Sequence, residues 1–133
     1  MTTALKSAVI GTGAISKEHL SFISKSESAH LAGVCDLSRA SAKYAANRFG
    51  ADSLYTNYNQ MLDEVKPDVV HILTPPHTHK KIAKDCLAAG VHVFCEKPIT
   101  PTYDEFQELS NFARSCDRTL IENHNYCFNR KIL

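Results

Sequence analysis

Residues 9–19 read Val-Ile-Gly-Thr-Gly-Ala-Ile-Ser-Lys-Glu-His, and this stretch decides the fold. An apolar run, Ala8 to Ile10, meets Gly11 and Gly13 and passes directly into helix-forming sequence, which predicts a strand, a tight turn and a helix N-terminus. The first glycine permits the sharp turn, and the second lets backbone N–H groups approach a phosphate at the positive end of the helix. The stretch therefore predicts a phosphate-binding turn.

The third position of the pattern Gly-x-Gly-x-x-Gly is occupied by Ser16. A small residue at this position still allows the helix to pack closely on the strand. The serine therefore weakens the match to the pattern without excluding it. A lone Gly-Thr-Gly is more often an ordinary turn than a nucleotide site. Features elsewhere in the chain are needed to distinguish an ordinary turn from a nucleotide site.

Around this stretch, short apolar runs alternate with segments of helical periodicity. Strands are predicted at 5–10, 31–35, 53–55, 69–73, 91–95 and 120–121. The first helix is expected to bury Ile15, His19, Phe22 and Ile23. Six strands that alternate with five helices, with no linker or repeat between them, predict a parallel sheet covered on both faces, which is a doubly wound α/β fold.

Helix boundaries are marked by residues with known end preferences. Ser38 is predicted to cap the second helix and Gly50 to end it. Thr102 and Glu105 form a capping box before the last helix. Pro67 and Pro76 cannot continue a helix, so each marks a boundary.

The 133 residues correspond to about one domain, with 15 basic and 14 acidic side chains. No run of Lys or Arg indicates nucleic-acid binding, and no apolar run approaches the roughly 18 residues that span a bilayer. The N-terminus lacks the pattern of a secretory signal. We therefore expect a soluble cytoplasmic protein without nucleic-acid or membrane partners.

Five cysteines and seven histidines raise the question of disulfides and metals. The cysteines lack Cys-x-x-Cys spacing, so we interpret them as reduced, mostly buried thiols. No histidine pair has the i, i+4 spacing of a helical zinc site, so no metal site is predicted. His19 lies on an apolar helix face, where a packed, hydrogen-bonded histidine is more common than a ligand.

The unusual local sequences all follow predicted strands, where the loops of a doubly wound sheet meet at one edge. They are Gly11 to Gly13, Asp36, Thr74-Pro75-Pro76, Glu96-Lys97-Pro98 and Asn123-His124. Asp36 follows the glycines at about the distance at which a carboxylate accepts the hydroxyls of an adenosine ribose. A turn residue or helix cap is the plain alternative for Asp36. The glycine turn favours ribose binding, and a carboxylate that repels a 2′-phosphate favours NAD over NADP.

Three motifs in this order give the chain a family resemblance. Gly-Thr-Gly-Ala-Ile-Ser at 11–16, Thr-Pro-Pro-His-Thr-His at 74–79 and Glu-Lys-Pro at 96–98 resemble the N-terminal domain of the glucose–fructose oxidoreductase and inositol 2-dehydrogenase family, called Gfo/Idh/MocA. The resemblance implies a Rossmann fold and NAD(P)-dependent hydride transfer at a hydroxyl or carbonyl carbon of sugars, cyclitols or related compounds.

The resemblance also implies roles for individual positions. Gly11, Thr12, Gly13, Ala14 and Ile15 would hold the pyrophosphate and Asp36 the adenosine ribose. Thr74, Pro75 and His79 would border the central part of the cofactor, Glu96 and Lys97 the nicotinamide ribose, and Asn123 the nicotinamide. Pro76 stands where many members have Asn, so contacts made by that side chain are not carried over.

Lys97 has a chemical rationale of its own. Hydride transfer at a hydroxyl carbon requires a proton to leave or reach the oxygen, and a partly desolvated lysine can donate or accept it. Burial or a neighbouring cation would have to lower its pKa. The alternative is a solvated turn lysine, which is the usual state of a loop lysine. A cis bond before Pro98 would aim Lys97 inward.

Members of this family are usually more than twice as long. We therefore expect residues 1–122 to form the dinucleotide-binding domain and 123–133 to begin the crossover into a substrate domain that this sequence lacks. The same resemblance implies an oligomer for the full-length protein. On this interpretation the chain binds NAD weakly and turns over no substrate. A non-catalytic NAD(P) sensor or regulatory protein is the alternative function, and a coenzyme A or flavin module is a third.

Overall fold

The computed structural model describes residues 4–123. Its elements follow one another in strict alternation. The strands are β1 (Leu5–Ile10), β2 (Ala29–Cys35), β3 (Ser53–Tyr55), β4 (Val69–Ile72), β5 (His92–Glu96) and β6 (Leu120–Asn123). The helices are α1 (Ser16–Lys25), α2 (Arg39–Phe49), α3 (Tyr58–Val65), α4 (His79–Ala88) and α5 (Tyr103–Ser115), and a short 3₁₀ turn covers Pro76–Thr78.

The six strands form one parallel sheet in the order β3-β2-β1-β4-β5-β6. The order reverses between β1 and β4, so the chain leaves these two neighbours toward opposite sides. Such a switch point opens a crevice at the carboxyl ends of the strands. This Rossmann-like α/β fold confirms the predicted fold class, and it brings the loops after β1 and β4 side by side.

Two apolar clusters lie on the two faces of the sheet. Helices α1 and α2 pack on one face through residues such as Leu20, Ile23 and Ala42. Helices α3, α4 and α5 pack on the other face through residues such as Met61 and Leu87. Both faces of the sheet are therefore covered by helices, which is the arrangement that the alternation predicted.

The predicted buried face of α1 is wrong at two of its four residues. Ile15 and Phe22 are 45% and 72% exposed, whereas α1 buries Ser16, Leu20 and Ile23. Ile23 is buried as predicted and His19 is partly buried, so the buried arc overlaps the predicted one but is turned toward Ser16 and Leu20. Ser16 can occupy the buried stripe because its hydroxyl donates to the Gly13 carbonyl at 2.6 Å.

The predicted helix ends are confirmed. The Ser38 hydroxyl accepts the Ser41 N–H, and Gly50 ends α2 in the left-handed conformation with φ of 76°. The Thr102 hydroxyl accepts the Glu105 N–H at 3.2 Å, as the capping box predicts, and the Glu105 carboxylate accepts from that hydroxyl at 3.1 Å instead of from the Thr102 N–H. Of the predicted domain boundaries, residues 124–133 of the crossover lie outside the described residues.

Candidate functional site

Gly11 and Gly13 have different structural roles in the turn after β1. Gly11 has φ of 100°, and a Cβ added to it would lie 2.8 Å from the Leu73 carbonyl group and 2.9 Å from the Thr74 nitrogen. Only glycine fits at a positive φ against the backbone of the neighbouring strand. A Cβ on Gly13 would meet nothing within 4 Å. The outer side of the turn is therefore open to a ligand.

The N-terminus of α1 lies directly behind this opening. Helices α2, α3 and α5 are capped by the side chains of Ser38, Asn57 and Thr102, whereas the cap residue of α1 is Ile15, whose side chain makes no capping bond. The Ser16 and Lys17 N–H groups donate to the Gly13 and Ala14 carbonyl groups of the turn, and the helix dipole makes this end positive. Together with the open glycine turn, this helix end can accept a phosphate.

Asp36 lies at the end of β2 and is bonded to the glycine turn. Its Oδ2 accepts the N–H and the hydroxyl of Thr12, both at 2.8 Å, and its Oδ1 accepts the Ser38 N–H at 2.8 Å. The Ser41 hydroxyl lies 2.7 Å from the Thr12 hydroxyl. Asp36 is thus a turn residue, as the plain alternative proposed, and it also borders the crevice.

The same bonds control the charge on Asp36. Partial burial acts to raise its pKa, but the hydrogen bonds from Ser38 and Thr12 outweigh burial and hold the pKa of this carboxyl below its usual value. Asp36 is therefore an anion at neutral pH. A carboxylate at the end of β2 can accept hydroxyl groups and repels phosphate.

A cavity of about 1110 Å³ runs along this edge of the sheet. The predicted site residues that line it are Gly11, Gly13, Ala14, Ile15, Asp36, Thr74 and Pro75. Sequence reasoning missed other lining residues, among them Leu37, Tyr58 and Lys81. Tyr58 and Lys81 belong to helices that looked like ordinary amphipathic helices, and only the strand order brings their N-terminal turns to the cavity.

His79 is placed differently from the expectation that it would border the cofactor. Its ring is 1% exposed. Nε2 lies 2.6 Å from the Thr74 carbonyl oxygen and Nδ1 lies 2.8 Å from the Pro98 carbonyl oxygen. The ring therefore joins the loops that follow β4 and β5 from behind, and its effect on a ligand has to pass through those loops.

Glu96 and Asn123 end the neighbouring strands β5 and β6 and lie opposite each other in the register. Asn123 Nδ2 donates to Glu96 Oε1 at 2.9 Å, and both residues are buried. Lys97 follows Glu96 on the surface and is exposed, and its bond to Pro98 is cis. The exposure of Lys97 matches the solvated-turn alternative, because the burial that an acid–base lysine needs is not supplied by residues 4–123.

His19 is a packed, hydrogen-bonded histidine, as predicted. Its Nε2 lies 2.9 Å from Glu96 Oε1 and its Nδ1 lies 3.0 Å from His71 Nδ1. The His19, His71 and Phe94 rings pack against one another with centroids 5.1–5.7 Å apart. Burial, and then the charge of His19, lowers the pKa of His71 from 6.5 to about 4, so His71 is neutral.

The described residues 4–123 contain neither a metal-binding cluster nor a membrane-spanning helix. No group of three or more His, Cys, Asp or Glu side chains there is arranged to hold a metal ion. No helix there is long and apolar enough to cross a bilayer, and the longest, α5, has 13 residues. The described cysteines Cys35, Cys86, Cys95 and Cys116 are free thiols.

Comparisons with known proteins give consistent matches. The chain is 32% identical over 128 residues to D-glucoside 3-dehydrogenase of Escherichia coli (strain K12), which covers 96% of this chain and 36% of that protein. A crystal structure of GenD2 from gentamicin A biosynthesis in complex with NAD aligns with a TM-score of 0.92 and 26% identity, over 98% of this chain and 38% of that one. The crystal structure of myo-inositol 2-dehydrogenase from Lactobacillus plantarum aligns with a TM-score of 0.83 and 27% identity, over 98% of this chain and 41% of that one.

The chain thus spans little more than a third of the length of these relatives. The model of the oxidoreductase family with an NAD-binding Rossmann fold, Gfo/Idh/MocA, matches residues 5–124. The chain therefore belongs to the Gfo/Idh/MocA family of oxidoreductases, and the matched residues are its NAD-binding Rossmann domain.

Proposed function

We propose that this chain is the cofactor-binding part of a dehydrogenase or reductase that transfers hydride between NAD and a hydroxyl or carbonyl carbon of a polyhydroxylated small molecule. One observation carries the proposal. Thr12, between the two glycines, donates both its N–H and its hydroxyl to Asp36. The phosphate-accepting turn and the hydroxyl-accepting carboxylate are therefore held in a fixed relation along one cavity.

The residues present fit an adenine dinucleotide. The open side of Gly13 and the uncapped start of α1 suit the pyrophosphate, and the anionic Asp36 suits the adenosine ribose. Thr74 and Pro75 line the wall formed by the β4 loop. Glu96, Lys97 and Asn123 lie at the ends of β5 and β6, the side of the sheet away from Asp36, which suits the nicotinamide ribose and nicotinamide.

NAD supplies the hydride chemistry when bound, and this chain binds it, orients it and contributes one candidate proton carrier. That candidate is Lys97, whose Nζ would hold or release the proton of the substrate oxygen. Because Lys97 is exposed here, this role requires that substrate or a further part of the protein cover it.

The substrate class is proposed from the relatives. Their names specify a D-glucoside and myo-inositol, both of which are polyhydroxylated. The chain spans about a third of these proteins, so we propose that it binds NAD by itself but does not turn over substrate. An oligomeric, cytoplasmic full-length protein is part of the same proposal.

A second candidate, a non-catalytic NAD sensor or regulatory protein, is favoured by the exposure of Lys97. The substitution Lys97→Ala in a longer protein that contains this chain distinguishes the two. For the enzyme, turnover is lost while NAD binding is retained. The sensor is supported if neither the wild-type protein nor the Lys97→Ala variant turns over substrate and both keep the same regulatory function.

The cofactor site is tested by titrating the 133-residue chain with NADH and NADPH and following nicotinamide fluorescence. We expect NADH to bind more tightly. Asp36→Ala should weaken NADH binding roughly tenfold, because hydrogen bonds to a charged group are worth about 1.5–3 kcal/mol. It should also reduce the difference in affinity between NADH and NADPH. Asp52→Asn is the matched control, since Asp52 is 59% exposed and pairs with His30. Equal binding of NADH by wild type and Asp36→Ala would contradict the proposal.

A further inference from the structure

A partly buried polar cluster connects the first turn of α1 to the end of β5. The cluster consists of His19, His71, Glu96 and Asn123. It extends over β4, β5 and β6, because His19 passes over His71 of β4 to reach Glu96. The side chains of His19 and Glu96 are only 12% and 11% exposed. The contact therefore lies under the surface, where a hydrogen bond is poorly replaced by water.

The contacts determine which His19 nitrogen donates to Glu96. His19 Nε2 must carry hydrogen to donate to Glu96 Oε1, so in a neutral ring its Nδ1 is an acceptor. The neutral His71 then donates from its own Nδ1 to His19 Nδ1. A protonated His19 satisfies both contacts as well, because it donates to Glu96 from Nε2 and to the neutral His71 from Nδ1. The His19 ring is held at both nitrogens and cannot turn without breaking a bond.

Glu96 receives two donors on the same oxygen. His19 Nε2 and Asn123 Nδ2 both reach Oε1 at 2.9 Å. The donors come from opposite sides, one from a helix above the sheet and the other from the adjacent strand. They fix the direction of the carboxylate at the point where β5 turns into Lys97.

We propose that His19 is a positioning residue for the nicotinamide half of the cofactor and acts through Glu96. The inference rests on the proposed function, which places the nicotinamide ribose beside Glu96 and Lys97. His19 lies in the same helix turn that begins behind the phosphate-binding glycines. It therefore sets the position of the β5 end relative to the site of the pyrophosphate.

Truncated ligands test this proposal on the 133-residue chain. NADH reaches both halves of the site, whereas ADP carries only the adenosine and diphosphate. His19→Phe keeps a ring against Phe94 but removes the donor, so NADH affinity should fall roughly tenfold while ADP affinity stays within twofold. His19→Gln places an amide near the position of Nε2 and should recover most of the loss. A fold that is merely weakened would lose both ligands alike.

The controls separate the possible outcomes. His30→Phe removes another histidine–carboxylate pair, with Asp52, that is more than half exposed, and it should leave both affinities unchanged. Glu96→Gln should reduce NADH affinity like His19→Phe, and the double variant should lose no more. If His19→Phe does not fold, the cycle of His19→Ala with Glu96→Gln measures the same coupling, because alanine also removes the donor to Glu96. An equal loss of NADH and ADP affinity, or additive losses in the double variant, would overturn this inference and leave the proposed function standing. If the wild-type chain binds NADH no more tightly than ADP, the inference and the proposed function are both overturned.

Discussion

At the residue scale, two glycines of the same motif serve different physical needs. Gly11 is required by the fold, because its positive φ and the 2.8 Å approach to the Leu73 backbone exclude a side chain. Gly13 adopts a conformation open to any residue and faces empty space. A sequence pattern treats the two alike, so their difference is visible only once β4 lies beside β1.

This difference predicts opposite effects of two alanine substitutions. Gly11→Ala should lower the free energy of unfolding by about 1–3 kcal/mol or more, because strain at a positive φ adds to the clash with Leu73. Gly13→Ala should leave stability within about 0.5 kcal/mol and instead weaken NADH binding by narrowing the approach to the turn. Urea unfolding with NADH titration measures both. Equal destabilisation by the two variants would contradict the assignment.

A second residue-scale prediction concerns pH. The pKa of His71 is lowered from 6.5 to about 4, chiefly by burial. Between these pH values the unfolded chain binds a proton that the native chain does not, so the contribution of His71 is complete above about pH 6.5 and is lost as the pH falls toward 4. The loss should be on the order of 3 kcal/mol.

Unfolding curves of wild type and His71→Gln from pH 7 to pH 4 isolate this contribution. His19, whose Nδ1 lies 3.0 Å from His71 Nδ1, is present in both proteins. The variant should therefore show the flatter decline over this range. Parallel curves would show that His71 is not neutral in the folded chain.

At the element scale, the helices differ in whether a side chain caps their N-terminus. Helices α2, α3 and α5 begin at residues whose side chains accept their free N–H groups, whereas α1 begins at Ile15 beside the cavity. A helix end satisfied by its own side chain contributes to stability, and one that is left open can bind an anion. Capping and binding are therefore alternative uses of the same backbone groups.

The capping box of α5 gives the prediction at this scale. Thr102→Ala removes the acceptor of the Glu105 N–H and should cost about 1 kcal/mol of unfolding free energy. Thr102→Ser keeps the hydroxyl and should cost at most a few tenths of that amount. Thermal unfolding of both variants is the measurement, and NADH affinity should not change. An equal loss in the two variants would assign the effect to the missing methyl group rather than to the cap.

At the scale of the whole molecule, the site is assembled from loops that are distant in sequence. The parallel order β2-β1-β4-β5-β6 brings the ends of five strands to one edge. His79 joins two of these ends through the carbonyl groups of Thr74 and Pro98. A buried ring that holds two loops at a fixed distance affects both stability and the shape of the cavity.

His79→Ala should therefore lower the free energy of unfolding by about 1–3 kcal/mol, because it removes the ring's hydrogen bonding to the two loops and leaves a cavity in its place. His77, two residues earlier and exposed on the 3₁₀ turn, provides the control. His77→Ala should change stability by less than about 0.5 kcal/mol. Urea unfolding of the pair checks the prediction, which would be refuted by similar stability for the two variants.

The sequence by itself determined the order of strands and helices, the glycine turn and the helix caps. These features depend on residues close together in the chain: Gly11 and Gly13 at a strand end, and Ser38 or Thr102 at a helix start. It also located Asp36, because the distance between the turn and the end of β2 is set by one intervening helix.

Only the tertiary structure decided which arc of α1 is buried, that His79 lies behind the loops rather than in the cavity, and that His19 contacts Glu96. Each of these depends on which strands are neighbours and on how α1 is rotated about its own axis against the sheet. Local periodicity does not encode either quantity, because both follow from how the two apolar faces of the sheet are filled. The chemistry of the motif residues was readable from the chain, whereas the network that holds them in place is a property of the packed sheet.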